Sequence, residues 1–220
     1  MDEVLQRLKD GVRRFQTEVY PQQADVFAQV ASEGQRPHTL FIACADSRVD
    51  PIAITSSGTG EVFVSRNIGN MVPAYGEMLG GVSAVIEFAV TSLKVRHIVV
   101  CGHTHCGAMH ALLNPDSVAQ MPTVKSWIEN AHAALEAAGT LLERRTAIST
   151  GERMIDVLTE QNVLLQMKHL KTHPSVALAT AKGELTISGW IYCIGTGEVC
   201  VAEDGQQTFT PIGLQLPTGV

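Results

Sequence analysis

The sequence predicts an α/β fold: a mostly parallel central sheet flanked by helices, with an extended helical N-terminal arm and a C-terminal edge hairpin. Three observations point to it. Short β-branched runs at residues 39–43 (TLFIA), 61–65 (EVFVS) and 97–101 (HIVVC) lack polar–apolar alternation, as expected of strands covered on both faces. Between the second and third lies an alanine-rich stretch, residues 80–93, whose Val82, Val85, Ile86, Ala89, Val90 and Leu93 recur at helical spacing. Strand, crossover helix and strand form a βαβ unit. Finally, 220 residues with 45% hydrophobic content suffice for one packed core.

The elements follow in order. Residues 1–34 read as a helical arm, with Val4, Leu5, Leu8, Val12 and Phe15 three or four apart. Tyr20-Pro21 is expected to break it before QQADVFAQVAS resumes the helix. Such an arm lies either on another subunit or over its own core. Residues 35–220 read as a single α/β domain. Beyond the third strand, helices are expected over 124–143, capped by Thr123, and over 152–170. A shorter one starts near Pro174 and ends near Gly183. ELTISGWIY (184–192) and EVCVAED (198–204), around Gly195-Thr196-Gly197, predict the edge hairpin.

Composition removes several function classes. Sixteen basic against 22 acidic residues give a net charge of −6, with the cations scattered, which disfavours nucleic-acid and acidic-membrane binding. No apolar run approaches the ~20 residues of a membrane span. The opening MDEVLQRLKDG carries acids and no apolar centre, so it does not read as a signal peptide, and the cytoplasm or an internal compartment is expected. Five cysteines are an odd, sparse set that suits reduced thiols better than a disulfide framework. Dinucleotide and P-loop glycine motifs are absent, as is CxxC.

Open α/β sheets bind ligands beyond the carboxyl ends of their strands. The first strand runs into Cys44-Ala45-Asp46-Ser47-Arg48, and the third into Gly102-His103-Thr104-His105-Cys106-Gly107. His103 and Cys106, three apart, fall on one side of a turn, and Cys44 from the neighbouring strand end completes two thiols and an imidazole. Zinc suits that set. Asp46 then has two readings: a fourth ligand closing the site, or a carboxylate held by Arg48 as a hydrogen-bond acceptor beside it. Cys101 stays open as a ligand, His105 is expected to point elsewhere, and Cys193 and Cys200 are expected to pack. Gly58-Thr59-Gly60 and Gly69-Asn70 read as tight backbone positions. Arg66-Asn67 reads either as an anion clamp or as structural pairing.

Five segments, CADSRVDP (44–51), GEVFVSRNIGNMVP (60–73), GGVSAVIEFAV (80–90), VVCGHTHCGAM (99–109) and GWIY (189–192), together resemble the β-class carbonic anhydrases. The resemblance extends over roughly residues 35–200 and is nearest the bacterial and cyanobacterial branch. It implies a Zn2+ enzyme that reversibly hydrates carbon dioxide to bicarbonate and a proton. Cys44, His103 and Cys106 match its zinc ligands. Asp46 and Arg48 match its dyad, in which Arg48 holds Asp46 off the metal in the active form; in a closed inactive form the aspartate becomes the fourth ligand. Phe63, Ile68 and Gly102 match the substrate pocket, with Leu79 facing it from the partner subunit. The resemblance also implies a homodimer or assembly of dimers with the N-terminal helix over its neighbour, and no nucleic acid or membrane insertion. The expected location is the cytoplasm or a bacterial microcompartment. Phe41 departs from the tryptophan of the bicarbonate-inhibited subgroup, so that second bicarbonate site is expected to be absent. Two alternatives remain at this stage: a related zinc enzyme acting on carbonyl sulfide or carbon disulfide, and a non-catalytic zinc-containing assembly subunit.

Overall fold

A computed structural model describes residues 2–77, 79–145 and 154–213. The chain opens with α1 (Asp2–Arg14), which passes through a π-helical turn (Phe15–Val19) and a 3-10 turn (Tyr20–Gln23) into α2 (Ala24–Glu33). Pro21 therefore tightens the helical path where a break was expected. No residue of α1 or α2 is buried, so the arm does not cover its own core. Phe15, Tyr20 and Phe27 instead pack on one another, with ring centroids 5.2–6.1 Å apart.

The body of the chain alternates strands and helices. β1 (Thr39–Cys44) leads to α3 (Pro51–Thr55), β2 (Val62–Asn67) and α4 (Gly81–Glu87). β3 (His97–His103) is followed by α5 (Gly107–Leu113), α6 (Pro122–Ile128), α7 (His132–Arg145), α8 (Met154–Leu170) and α9 (Pro174–Ala181). β4 (Thr186–Tyr192), β5 (Val199–Glu203) and β6 (Thr210–Pro211) close the sheet. The six strands are ordered β2-β1-β3-β4-β5-β6. Those from β2 to β4 are parallel, and β5 and β6 are antiparallel.

β1 and β3 are buried on both faces, which explains their unbroken apolar runs. One face presents Leu40, Ile42, Ile98, Val100 and Ile187 to Ile86, Val163 and Met167. The other gathers Phe41, Ala43, Val99 and Cys101 with Val49 and Trp190. A third cluster, under α5 to α8, includes Cys44 and Cys106. Among the described residues no helix is long and apolar enough to cross a membrane.

Some boundaries differ from expectation. The helix expected over 124–143 is two helices separated by a 3-10 turn (Glu129–Ala131). There the Asn130 side chain donates to the Trp127 carbonyl at 2.7 Å, competing with the helical ladder. Thr123 is not the cap: Met121 occupies that position with Pro122 inside the first turn, where a missing amide costs nothing. The expected start of the next helix, residue 152, lies outside the described residues. The short helices α3 and α5 and the two-residue β6 were not anticipated. β6 makes β5 an interior strand of the sheet.

At Gly189 the sheet packs tightly on α8: a Cβ there would stand 2.6 Å from both Met167 Sδ and Val163 Cγ1. Gly189→Ala is expected to lower unfolding free energy by about 1–3 kcal/mol, read as a lower urea midpoint at unchanged slope.

Candidate metal centre

The parallel pairing of β1 with β3 sets the site. Ala43 aligns with Cys101, so both strands deliver their last residues, Cys44 and His103, to the same end of the sheet. The chain then turns sharply. His105 takes a left-handed conformation (φ 58°), uncommon for a residue with a side chain, and brings Cys106 back beneath His103 at the head of α5. The Cys44 and Cys106 sulfurs and one imidazole nitrogen of His103 lie within 4.8 Å of one another, and all three residues are buried. His105 is exposed, as expected.

Each donor atom is oriented by its surroundings. His103 Nδ1 lies 2.9 Å from the Thr104 carbonyl and donates to it, which leaves Nε2 as the basic nitrogen. Nε2 itself is buried without a hydrogen-bond partner. Thr104 is held in turn, its N–H donating to the Tyr192 carbonyl at 3.0 Å and its Oγ1 accepting from the Ile194 N–H at 3.1 Å. The Cys44 sulfur accepts from the Gly69 N–H at 3.4 Å. A hydrogen bond from the Cys106 thiol, helped by His103 and by the Asp46 and Gly69 amides, holds the Cys44 thiol well below its ordinary pKa against the opposing effect of burial. Cys106 is pushed up by that same thiolate and by burial. The first proton thus leaves easily and the second does not, unless a cation neutralises the pair. A buried nitrogen with no partner beside two such sulfurs is the donor set of a soft divalent ion, and zinc fits it.

Asp46 adjoins this cluster, its Oδ2 4.0 Å from His103 Nε2. The Arg48 guanidinium grips it at both oxygens: Nε donates to Oδ1 at 2.9 Å and Nη2 to Oδ2 at 2.7 Å. The Arg48 N–H also donates to Oδ1, at 3.0 Å. These bonds hold the Asp46 carboxyl well below the usual carboxylate range. Arg48 Nη2 further donates to the His105 carbonyl at 3.3 Å, linking the two strand-end loops.

The other sequence candidates fall elsewhere. Cys101 is outside the cluster, fully buried among Phe41 and Val99, with its thiol pushed up to about 12 by burial. Cys193 and Cys200 are half-buried beside the terminal hairpin. Arg66 pairs structurally, donating to the Cys44 carbonyl at 3.1 Å and the Asp46 carbonyl at 2.5 Å. Gly69 (φ 73°) and Asn70 (φ 49°) are tight backbone positions, as expected. Phe63 packs at the sheet edge, 6.1 Å from the Phe88 ring. Ile68 is 43% exposed, and Leu79 is 67% exposed. Gly102 turns its open Cα toward Val163 Cγ2, which a Cβ would approach to 2.7 Å. Sequence reasoning missed the supports of the site: Thr104, the Ile194 amide and the Gly69 amide. The peptide groups carry no signal in side-chain identity; the glycine did, as a position demanding positive φ.

A parallel sheet ending in two thiols and an imidazole, beside an arginine-held carboxylate, defines an α/β protein with a donor set that could hold a metal ion. Its relatives are specific. The family model described as carbonic anhydrase matches residues 39–199. A carbonic anhydrase of Synechococcus elongatus is 43% identical over 196 residues, covering 89% of this chain and 70% of the relative. One of Pseudomonas aeruginosa is 42% identical, covering 92% and 90%. Among solved structures, the β-carbonic anhydrase CcaA superposes with a TM-score of 0.85 at 38% identity, covering 97% of this chain and 94% of that one. A tetrameric β-carbonic anhydrase of Sordaria macrospora gives 0.79 at 28% identity, covering 94% and 99%. The chain belongs to the carbonic anhydrase family, in its β class, and is an enzyme of that family.

The Arg48 grip also has a pH signature. A carboxylate with a depressed folded pKa adds stability above its unfolded pKa and loses it as pH falls. The stability gap between wild type and Arg48→Ala, in metal-free protein, is therefore expected to be full at about pH 7 and to narrow below about pH 4. Urea titrations at both pH values check it.

Proposed function

We propose that this chain catalyses the zinc-dependent, reversible hydration of carbon dioxide to bicarbonate and a proton. The observation that carries the reading is the convergence of Cys44, His103 and Cys106 around an unpartnered imidazole nitrogen, with Asp46 held beside them by Arg48. Relatives named carbonic anhydrase over nearly the whole chain support it.

Cys44, His103 and Cys106 would hold the zinc. When bound, zinc supplies a water that ionises toward neutral pH, near ~7 with imidazole ligands and higher with two charge-donating thiolates. Asp46, kept ionised by Arg48, accepts a hydrogen bond at Oδ2 and so orients the attacking oxygen's lone pair toward carbon dioxide. If Arg48 released it, Asp46, whose Oδ2 lies 4.0 Å from His103 Nε2, would be available as a fourth ligand that closes the site. Phe63, Ile68 and Gly102, with Leu79 of a second copy, form the small apolar substrate pocket. The exposed His105 and His110 are candidate carriers for the product proton.

The working form is a homodimer or an assembly of dimers, in a reducing compartment such as the cytoplasm or a bacterial microcompartment. The apolar, unburied arm residues Val4, Leu8 and Val12, and the exposed Val64, Ile68, Leu79 and Phe88, support a second copy as partner.

Cys44→Ser and His103→Ala are each expected to lose zinc and hydration activity together. Elemental analysis beside stopped-flow hydration tests this, and full zinc in both variants would remove the ligand assignment. Asp46→Ala should retain zinc and lose about 10²-fold or more of turnover near neutral pH. Wild-type hydration should climb between about pH 6 and pH 9 as the water ionises; a flat profile across that range contradicts the mechanism.

A further inference from the structure

Helix α8 is largely buried and mostly apolar, yet one stripe of it is polar: Asn162, Gln166 and His169, spaced four and three residues apart. Asn162 is 1% exposed and Gln166 0%. Buried amides in such a helix need partners, and theirs lie some 90 residues away in sequence. Asn162 Nδ2 donates to the Gly69 carbonyl at 3.1 Å. Gln166 Oε1 accepts from the Val72 N–H at 2.8 Å, while its Nε2 donates to Asn162 Oδ1 at 2.9 Å and to the Asn130 carbonyl at 3.3 Å. His169 Nδ1 lies 2.8 Å from the Val72 carbonyl, to which it donates.

The reason for this ladder is the segment it grips. Residues 69–73 are buried but belong to no strand, so no sheet partner satisfies their peptide groups. Helix α8 supplies partners to Gly69 and Val72 through its side chains, while Asn67 meets both Met71 peptide groups and His173 the Pro73 carbonyl. The same segment presents the Gly69 N–H to the Cys44 sulfur. Nor can Gly69 shift freely, since a Cβ there would already stand 2.8 Å from Met71 Cε and 2.9 Å from Ala108 Cβ. The N–H that meets Cys44 lies in the peptide joining Ile68 to Gly69, whose carbonyl accepts from Trp127 Nε1 at 2.8 Å, and Asn162 holds the next peptide at the Gly69 carbonyl, so Gly69 is gripped on both sides.

We propose that Asn162, braced by Gln166, is a positioning residue of the metal centre. By holding the Gly69 carbonyl it completes, with Trp127 on the Ile68 carbonyl, the restraint on the residue whose amide meets the Cys44 sulfur, and so tunes how much charge that sulfur donates as a ligand. The inference rests on the metal-site reading above. Outer-shell hydrogen bonds of this kind are worth about 10–100-fold in metal affinity, and bonds to ligand sulfur also alter its electronic character.

Cobalt(II) titration of the full-length chain tests it, because the sulfur-to-cobalt charge-transfer band reads the thiolates directly. Asn162→Leu is expected to weaken cobalt binding about 10–100-fold and to shift that band. Ile98→Ala, a core truncation at the opposite end of β3 from His103, should lower the urea midpoint while leaving affinity and band as in wild type. Asn162→Ala, which preserves helix propensity, is read by the same two criteria should the leucine variant misfold. Wild-type affinity and spectrum in a folded Asn162 variant would overturn the proposal, and so would an equal spectral shift in Ile98→Ala. A wild-type protein that binds cobalt but hydrates no carbon dioxide would sink the functional reading alone, whereas one that takes up no cobalt would sink both.

Discussion

Two cysteine sulfurs and a histidine nitrogen share a buried space at the end of a parallel sheet, and the architecture around it follows from that crowding. The pairing of β1 with β3 creates the space by ending both strands at one level. Burial makes it costly, because a second thiolate beside the first is unfavourable without a cation. The left-handed turn at His105, the arginine fork on Asp46 and the amide at Gly69 all serve the same few ångströms. A cation held there would first of all relieve the desolvation of these donors. The chemistry proposed there uses a charge imbalance that folding has already imposed.

The central strands were legible because burial on both faces leaves a simple mark, an unbroken β-branched run. The principal site residues were legible for a related reason: thiols, imidazole and carboxylate appear directly after such runs, where apolar continuity breaks off. The rest is written in contacts that composition does not encode. Thr104 acts through its carbonyl and hydroxyl, and its partners at Tyr192 and Ile194 lie about 90 residues on. Asn130 looked like one more helical residue, and only its side-chain bond to the Trp127 carbonyl shows why the helix is interrupted there. The amides of α8 did leave a trace, a polar stripe inside a buried helix, but periodicity reports only that such a stripe exists. It does not say which backbone the stripe will meet.

The support of the site is unequal on its two sides. His103 is steadied by the loop after β4, through Thr104, whereas Cys44 is steadied by residues 69–73 and α8. Both routes join elements far apart in the chain, so the donor geometry requires the sheet and its covering helices to be assembled together. Asp46 and Arg48, by contrast, are two residues apart and hold each other locally. The site therefore combines a donor set braced from distant elements with a carboxylate restrained by one residue, Arg48, through both its amide and its exposed side chain.

The two borders of the sheet are also unlike. On the far side, β6 is only two residues long and includes Pro211, whose ring nitrogen has no hydrogen to offer an incoming strand. On the near side, β2 has six residues, no proline and alternately exposed positions. A sheet that accepts a neighbour along one border only cannot propagate. Two copies meeting there would close on a two-fold axis and stop, which guards a chain rich in β-branched runs against open-ended polymerisation.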